Sequence, residues 1–154
     1  MNNPRKTYQP LISEILDKVG KAKTKEKKIA ILKENDNKGL RMILKSSFDP
    51  NIEWVFPEGD TPYTPNDVPE GTEHSMLEHE SRILFNFIKG GADKVPLFKR
   101  EGMFIRMLEG LHKNEAQVVI DAKDKKLHQV YKGLSKDVVR TAFGWNEEFR
   151  RIDG

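Results

Sequence analysis

Residues 8–20 have the sequence YQPLISEILDKVG, and their apolar side chains recur at helical spacing. The spacing i, i+3, i+4, i+7, i+8 and i+11 places these side chains in one stripe along a helix. Pro10 suits the first turn of that helix, and Gly20 suits the position just after its end. The stretch therefore predicts an amphipathic helix that packs one face against a core.

Two later stretches, 76–88 and 97–111, carry the same kind of apolar stripe. Ser75 and Glu78 have the spacing of a capping box at the start of the first stretch. Gly90-Gly91 follows that stretch and is typical of a helix stop. The three long stripes predict core positions for Leu16, Leu84 and Leu108.

Shorter stripes predict four more helices, beginning after Thr24, near Leu40, after Asn114 and after Ser135. No stretch shows the strict alternation that is typical of a half-buried strand ladder. We therefore expect an all-α fold in which residues 1–154 form a single compact domain of about seven helices.

Residues 49–72 interrupt the helical pattern with five of the eight prolines. We expect an acidic Pro-rich loop here. Because exposed aromatic side chains are costly, Trp54, Val55, Phe56 and Tyr63 are predicted to pin this loop to the core.

Charge is segregated along the chain. Residues 1–50 carry a net charge of +6, residues 51–80 carry −8 with no basic residue at all, and residues 81–154 carry +5. One interpretation is that the acidic block packs near the basic helices and neutralises them. The other is that the basic flanks face a polyanion while the acidic block faces elsewhere.

The most suggestive polar stretch, residues 123–136, connects two predicted helices and is rich in lysine. Lysines and a tyrosine in such a connection can contact phosphates or stack on bases. Its length exceeds the short turn of a DNA-reading helix-turn-helix, which argues against sequence-specific groove recognition. The candidate residues for contact with a nucleic acid or a protein partner are Lys123, Lys125, Lys126, Tyr131, Lys132, Lys136 and Arg140.

Catalytic patterns are missing from the sequence. The chain has no Cys, which excludes disulfides, thiolate metal sites and cysteine nucleophiles. No serine stands in a recognisable nucleophile pattern, and His112 and His128 are expected to be exposed. His74 and His79 lie five residues apart, so they do not share a helix face. We expect no enzyme, metal site or cofactor; the alternative is a carboxylate-rich cation site near His74 that uses Glu73, Glu78 and Glu80.

Neither a run of about 18 apolar residues nor a signal-peptide pattern is present. We therefore expect partners other than a membrane.

Several motifs together resemble a family of small uncharacterised proteins of large T-even-like tailed bacteriophages. The resemblance extends from about Leu11 to Phe149. The motifs that carry it are Phe48-Asp49-Pro50-Asn51-Ile52, the turns at 57–59 and 69–74, Met107-Leu108-Glu109-Gly110-Leu111-His112, and the segments 122–127 and 142–145.

That resemblance implies a phage-encoded protein in the cytoplasm of the infected host. Together with the missing catalytic patterns, it leads us to expect a non-catalytic accessory factor in replication, transcription or host takeover. The favoured class is a protein-interaction module with an unknown phage or host partner. The alternative is a nucleic-acid-binding accessory protein that uses the basic flanks.

Overall fold

The computed structural model describes residues 9–69 and 74–152 of the chain. In these ranges only isolated bridges occur and no strand forms, so the prediction of an all-α fold is confirmed. None of the helices found there combines the length and the apolar character needed to cross a membrane. The helices are α1 (Ile12–Lys21), α2 (Lys25–Glu34), α3 (Lys38–Phe48), α4 (Leu77–Glu80), a 3₁₀ helix (Ser81–Phe87), α5 (Leu97–Gly110), α6 (Lys113–Lys123), α7 (Leu127–Val130) and α8 (Lys136–Phe143).

One hydrophobic cluster joins the helices. Leu16, Leu84 and Leu108 lie in it, each at most 1% exposed, so their predicted core positions are confirmed. Helix α6 packs against α1, α3 and α5, and for this reason it positions most of the contacts described below.

The boundaries of α1 differ from the prediction. The helix begins at Ile12, where the Glu14 carboxylate accepts a hydrogen bond of 2.8 Å from the Leu11 N–H. Gly20 lies inside the helix instead of after it. The Lys28 ammonium binds the carbonyl oxygens of Val19 and Ala22 at 2.8 and 2.7 Å, so a cation stabilises the C-terminal end of α1. The predicted contribution of Tyr8 falls outside the described residues.

The prediction of one long helix over residues 76–88 is wrong. The segment forms one turn of α-helix followed by the 3₁₀ helix. Ser81 Oγ donates to the Glu78 carbonyl and Asn86 Nδ2 donates to the Ile83 carbonyl, both at 2.9 Å. Side chains that bond carbonyls three residues back compete with the α-helical hydrogen bonds.

The predicted caps have mixed outcomes. Ser75 does not cap α4, because Met76 is the N-cap and the Ser75 N–H donates to the Gly110 carbonyl at 2.7 Å. Asn114 is not a cap either: α6 starts at Lys113 with His112 as its N-cap, and His112 Nδ1 accepts from the Asn114 N–H at 3.0 Å. The caps at Thr24 and Ser135 are confirmed.

No helix forms in residues 49–69, and aromatic side chains hold part of this segment to the core. Trp54 is buried, and its Nε1 donates to the Ser46 carbonyl at 3.1 Å. The Val55 N–H donates to the Phe87 carbonyl at 2.9 Å, and Phe56 and Tyr63 pack against the core.

Candidate interaction site

Lys123, the last residue of α6, fastens the segment that follows Trp54. Its Nζ donates to the carbonyl oxygens of Pro57 at 2.7 Å and Gly59 at 3.0 Å, and to Asp124 Oδ1 at 2.6 Å. Asp124 Oδ1 in turn accepts from the Gly59 N–H at 3.1 Å. The Lys123 side chain is 1% exposed, so all three ammonium protons are used inside the protein.

Lys125 makes a second attachment to the same segment. Its backbone is left-handed, with φ of 59°, and its Nζ donates to the carbonyl oxygens of Asp49 at 2.8 Å and Ile52 at 2.7 Å. Burial lowers the pKa of Lys125, while the charges of Asp49 and Glu53 act in the opposite direction. We call residues 49–64 the anchored loop.

Among the described residues, three exposed ion pairs join the acidic block to lysines elsewhere in the chain. Each is worth little on its own because both partners face solvent. Together they show that carboxylates of the block lie beside basic residues of the C-terminal flank, residues 81–154. The pairs are Lys126–Glu58 at 2.8 Å, Lys89–Glu53 at 3.4 Å and Lys113–Asp67 at 3.5 Å.

The other predicted contact residues have different environments. Tyr131 is half-buried, and its pKa rises to about 12, first through burial and then through the charges of Asp121 and Asp17. Lys132 and Lys136 are exposed. Arg140 is half-buried, and its Nε donates to the Asn146 carbonyl at 3.0 Å. Contact of these residues with a partner stays a prediction.

The anchored loop and helix α5 enclose a groove of about 350 Å³. Phe56 lies on its floor, with its ring centroid 4.8 Å from that of Phe104 and 5.8 Å from that of Phe87. Pro57, Pro62 and Ile105 add further apolar surface. The groove can therefore accept an apolar side chain.

The rim of the groove is acidic. Among the described residues that line it, three carry carboxylates, namely Glu58, Asp60 and Glu101, and none is basic. Glu58 pairs with Lys126, whereas Asp60 and Glu101 make no ion pair within the described part of the chain. One helical turn before Glu101, Phe98 is 75% exposed and Leu97 is 47% exposed.

The histidines do not gather with carboxylates into a metal site. Within residues 9–69 and 74–152, no group of three or more His, Asp or Glu residues could hold a metal ion. Glu73, part of the predicted alternative near His74, lies outside these ranges. The prediction that His112 is exposed is wrong, because the residue is 3% exposed and its ring lies 5.4 Å from that of His74.

Sequence reasoning missed Glu115, which is 0% exposed. Its Oε2 accepts from the Ile12 N–H at 2.6 Å and its Oε1 accepts from the Leu77 N–H at 2.8 Å. These N–H groups belong to the first residues of α1 and α4, so one carboxylate caps two helices. The only local signal was an acidic residue in the first turn of α6, which is common on solvent-facing helices.

Fold and groove together define a small all-α protein with an acidic, aromatic-floored cleft on its surface. The chain belongs to a family of unknown function (DUF6433), whose family model matches residues 15–129. The match includes most of α1, all of α2 to α6, the anchored loop and the lysines that hold it. Comparisons with curated proteins and with solved structures found no match.

Proposed function

We propose that this protein is a non-catalytic protein-interaction module that binds a segment of a partner protein in the groove between the anchored loop and α5. The observation that carries the proposal is the combination of an aromatic floor with a rim whose Asp60 and Glu101 have no ion-pair partner in residues 9–69 and 74–152. Such a groove suits a segment that places an apolar side chain next to Lys or Arg. Complementary charge at the rim then fixes its orientation.

The exposed start of α5 extends the same surface. Phe98, Glu101 and Ile105 have the spacing i, i+3 and i+7, so they follow one face of the helix. A phenylalanine that is 75% exposed beside an apolar groove is typical of an interaction surface.

The alternative is nucleic-acid binding through the basic flanks. Lys123 and Lys125 could reach phosphates only by giving up their bonds to loop carbonyls, which favours the protein-interaction role. The exposed Lys132 and Lys136 are the residues on which the alternative depends. Phosphate contacts there would make the affinity fall steeply as salt rises.

The same proposal includes the origin of the protein and the place where it acts. The motifs described above resemble those of a family of small proteins of T-even-like tailed bacteriophages. This resemblance supports a phage-encoded accessory protein that acts in the host cytoplasm. Its partner would be a phage or host protein of replication, transcription or host takeover.

Short synthetic peptides test the proposed role directly. A peptide with a central Leu flanked by lysines should bind, measured by fluorescence anisotropy, whereas peptides with Glu flanks or a central Ser should bind far more weakly. Changing both Asp60→Lys and Glu101→Lys should weaken binding of the Lys-flanked peptide by about tenfold, because two rim attractions become repulsions.

The matched control changes Glu147→Lys and Glu148→Lys, two exposed acids outside the groove, and thus alters the net charge by the same amount. Equal weakening by both double variants would contradict the proposal, since it would mean that net charge alone governs binding. Salt-sensitive binding of an unrelated DNA oligonucleotide, lost on changing Lys132→Glu and Lys136→Glu, would favour the alternative.

A further inference from the structure

A second cleft, of about 400 Å³, lies where α1, α6 and the residues after α7 meet. Seven of the eight described residues that line it are polar and none of the eight is Lys, Arg or His, although the chain has 27 Lys and Arg residues. The lining offers carboxylates, side-chain amides and hydroxyls, chiefly from Asp17, Asp121, Asn114, Gln117, Ser13 and Tyr131.

Two buried groups in this lining are incompletely bonded. Ser13 is 6% exposed, and its Oγ has no hydrogen-bond partner in the described part of the chain. Asp121 is 9% exposed, and its carboxylate accepts one bond of 3.0 Å from Gln117 Nε2. A buried polar group without a partner is unfavourable, so a ligand that offers N–H donors would improve both environments.

The nearest lysines leave the negative charge of the cleft largely uncompensated. Lys21 pairs with Asp17 at 3.2 Å, but both side chains are mostly exposed. The charge of Lys126 acts on Asp121, yet its ammonium pairs with Glu58. Burial raises the pKa of Asp121, and the nearby carboxylates contribute to the raised pKa of Tyr131.

We infer that this cleft binds an organic cation, with an alkylammonium or guanidinium group held by Asp121 and its neighbouring amides and hydroxyls. Both groups carry a positive charge and several N–H donors, which matches a lining that is rich in acceptors. Two sources could offer this chemistry: a free amine, or a basic side chain of a bound protein.

The test follows backbone and side-chain amide signals by nuclear magnetic resonance during titration. The probes are putrescine and spermidine as free amines, blocked lysine and blocked arginine as protein side chains, and Mg²⁺ alone. We expect shifts centred on Ser13, Gln117 and Asp121 with the organic cations. Whichever class of probe binds more tightly, the free amines or the blocked amino acids, identifies the source of the cation.

The matched variants are Asp121→Asn in the cleft and Asp67→Asn on the exposed loop. Asp121→Asn keeps an oxygen for Gln117 but removes the charge, so we expect binding to weaken by about tenfold, while Asp67→Asn changes it less than about twofold. Asn114→Asp adds a carboxylate at an exposed position of the lining, and it should tighten binding even if Asp121→Asn does not fold.

Three outcomes would overturn the inference: no localised shifts with any organic cation, equal weakening by both Asp→Asn variants, or the same pattern of shifts with Mg²⁺ alone.

Discussion

Glu115 shows how one residue joins distant parts of this chain. Its carboxylate binds the first N–H groups of α1 and α4, which lie 103 and 38 residues away in sequence. The positive end of each helix favours this negative group, although burial opposes its ionisation. Both helix starts therefore share one capping side chain.

Glu115→Gln should lower the free energy of unfolding by about 1–3 kcal/mol, because an amide keeps one acceptor oxygen and leaves the other buried N–H without a partner. The exposed Glu101→Gln should change it by less than about 0.5 kcal/mol. Urea unfolding followed by circular dichroism measures both. Equal effects would mean that the two capping bonds contribute nothing.

The pH dependence of the same variant has a defined sign. Burial raises the pKa of Glu115 in the folded protein, while the N–H groups of Leu77 and Ile12 act in the opposite direction. Between its ordinary pKa, about 4.3, and the raised value, the folded protein holds a proton that the unfolded chain has lost. Stability from this group is therefore full below the window and falls as pH rises through it.

The stability difference between wild type and Glu115→Gln should consequently shrink as pH increases across that window, in urea unfolding at a series of pH values. A difference that grows with pH would contradict the raised pKa.

At the scale of elements, local periodicity was informative where a helix buries one stripe. Helix α5 occupies 97–110 against a predicted 97–111, because its spacing alone determines which face is buried. The prediction for residues 76–88 failed because an apolar pattern does not show the hydrogen bonds that Ser81 and Asn86 make to nearby carbonyls. The predicted cap at Ser75 failed for a different reason. The Ser75 N–H donates to the carbonyl oxygen of Gly110, which lies 35 residues further along the chain.

Truncating the stripes should destabilise the fold. Leu16→Ala, Leu84→Ala and Leu108→Ala each remove a side chain that is at most 1% exposed, and each should lower the free energy of unfolding by about 2–5 kcal/mol. Chemical denaturation checks this. Losses below about 0.5 kcal/mol at all three positions would show that the core is placed wrongly.

Two helical glycines should respond in opposite directions. A Cβ at Gly39 in α3 would lie 2.6 Å from the Cα of Glu78, so Gly39→Ala should push α3 away from α4 and lower the unfolding free energy by about 1–3 kcal/mol. In α5, a Cβ at Gly102 would meet only the end of the Arg106 side chain. Gly102→Ala should therefore raise the unfolding free energy by about 0.5–1 kcal/mol. Thermal unfolding distinguishes the two, and stabilisation by Gly39→Ala would show that α3 and α4 are not in close contact.

For the whole molecule, folding brings the acidic block beside lysines of the C-terminal flank, residues 81–154. The sequence indicated that opposite charges were segregated, and it indicated the aromatic residues that hold the loop. It could not indicate that Lys123 binds Pro57 and Gly59, because those partners lie more than 60 residues away and nothing in the local sequence distinguishes Lys123 from any other lysine at a helix end. The groove was unpredictable for the same reason, since Phe56 and Phe104 meet only through tertiary packing.

Lys123 holds the loop that forms the groove. Amide hydrogen exchange in Lys123→Met, compared with the exposed Lys132→Met, tests this most directly. In Lys123→Met we predict exchange faster by about tenfold or more at Gly59 and its neighbours, because charge-assisted hydrogen bonds to two carbonyls are lost. Amides of α1 should keep their protection, and Lys132→Met should leave the loop unchanged. Equal exchange across residues 53–64 in the two variants would show that Lys123 does not hold the loop.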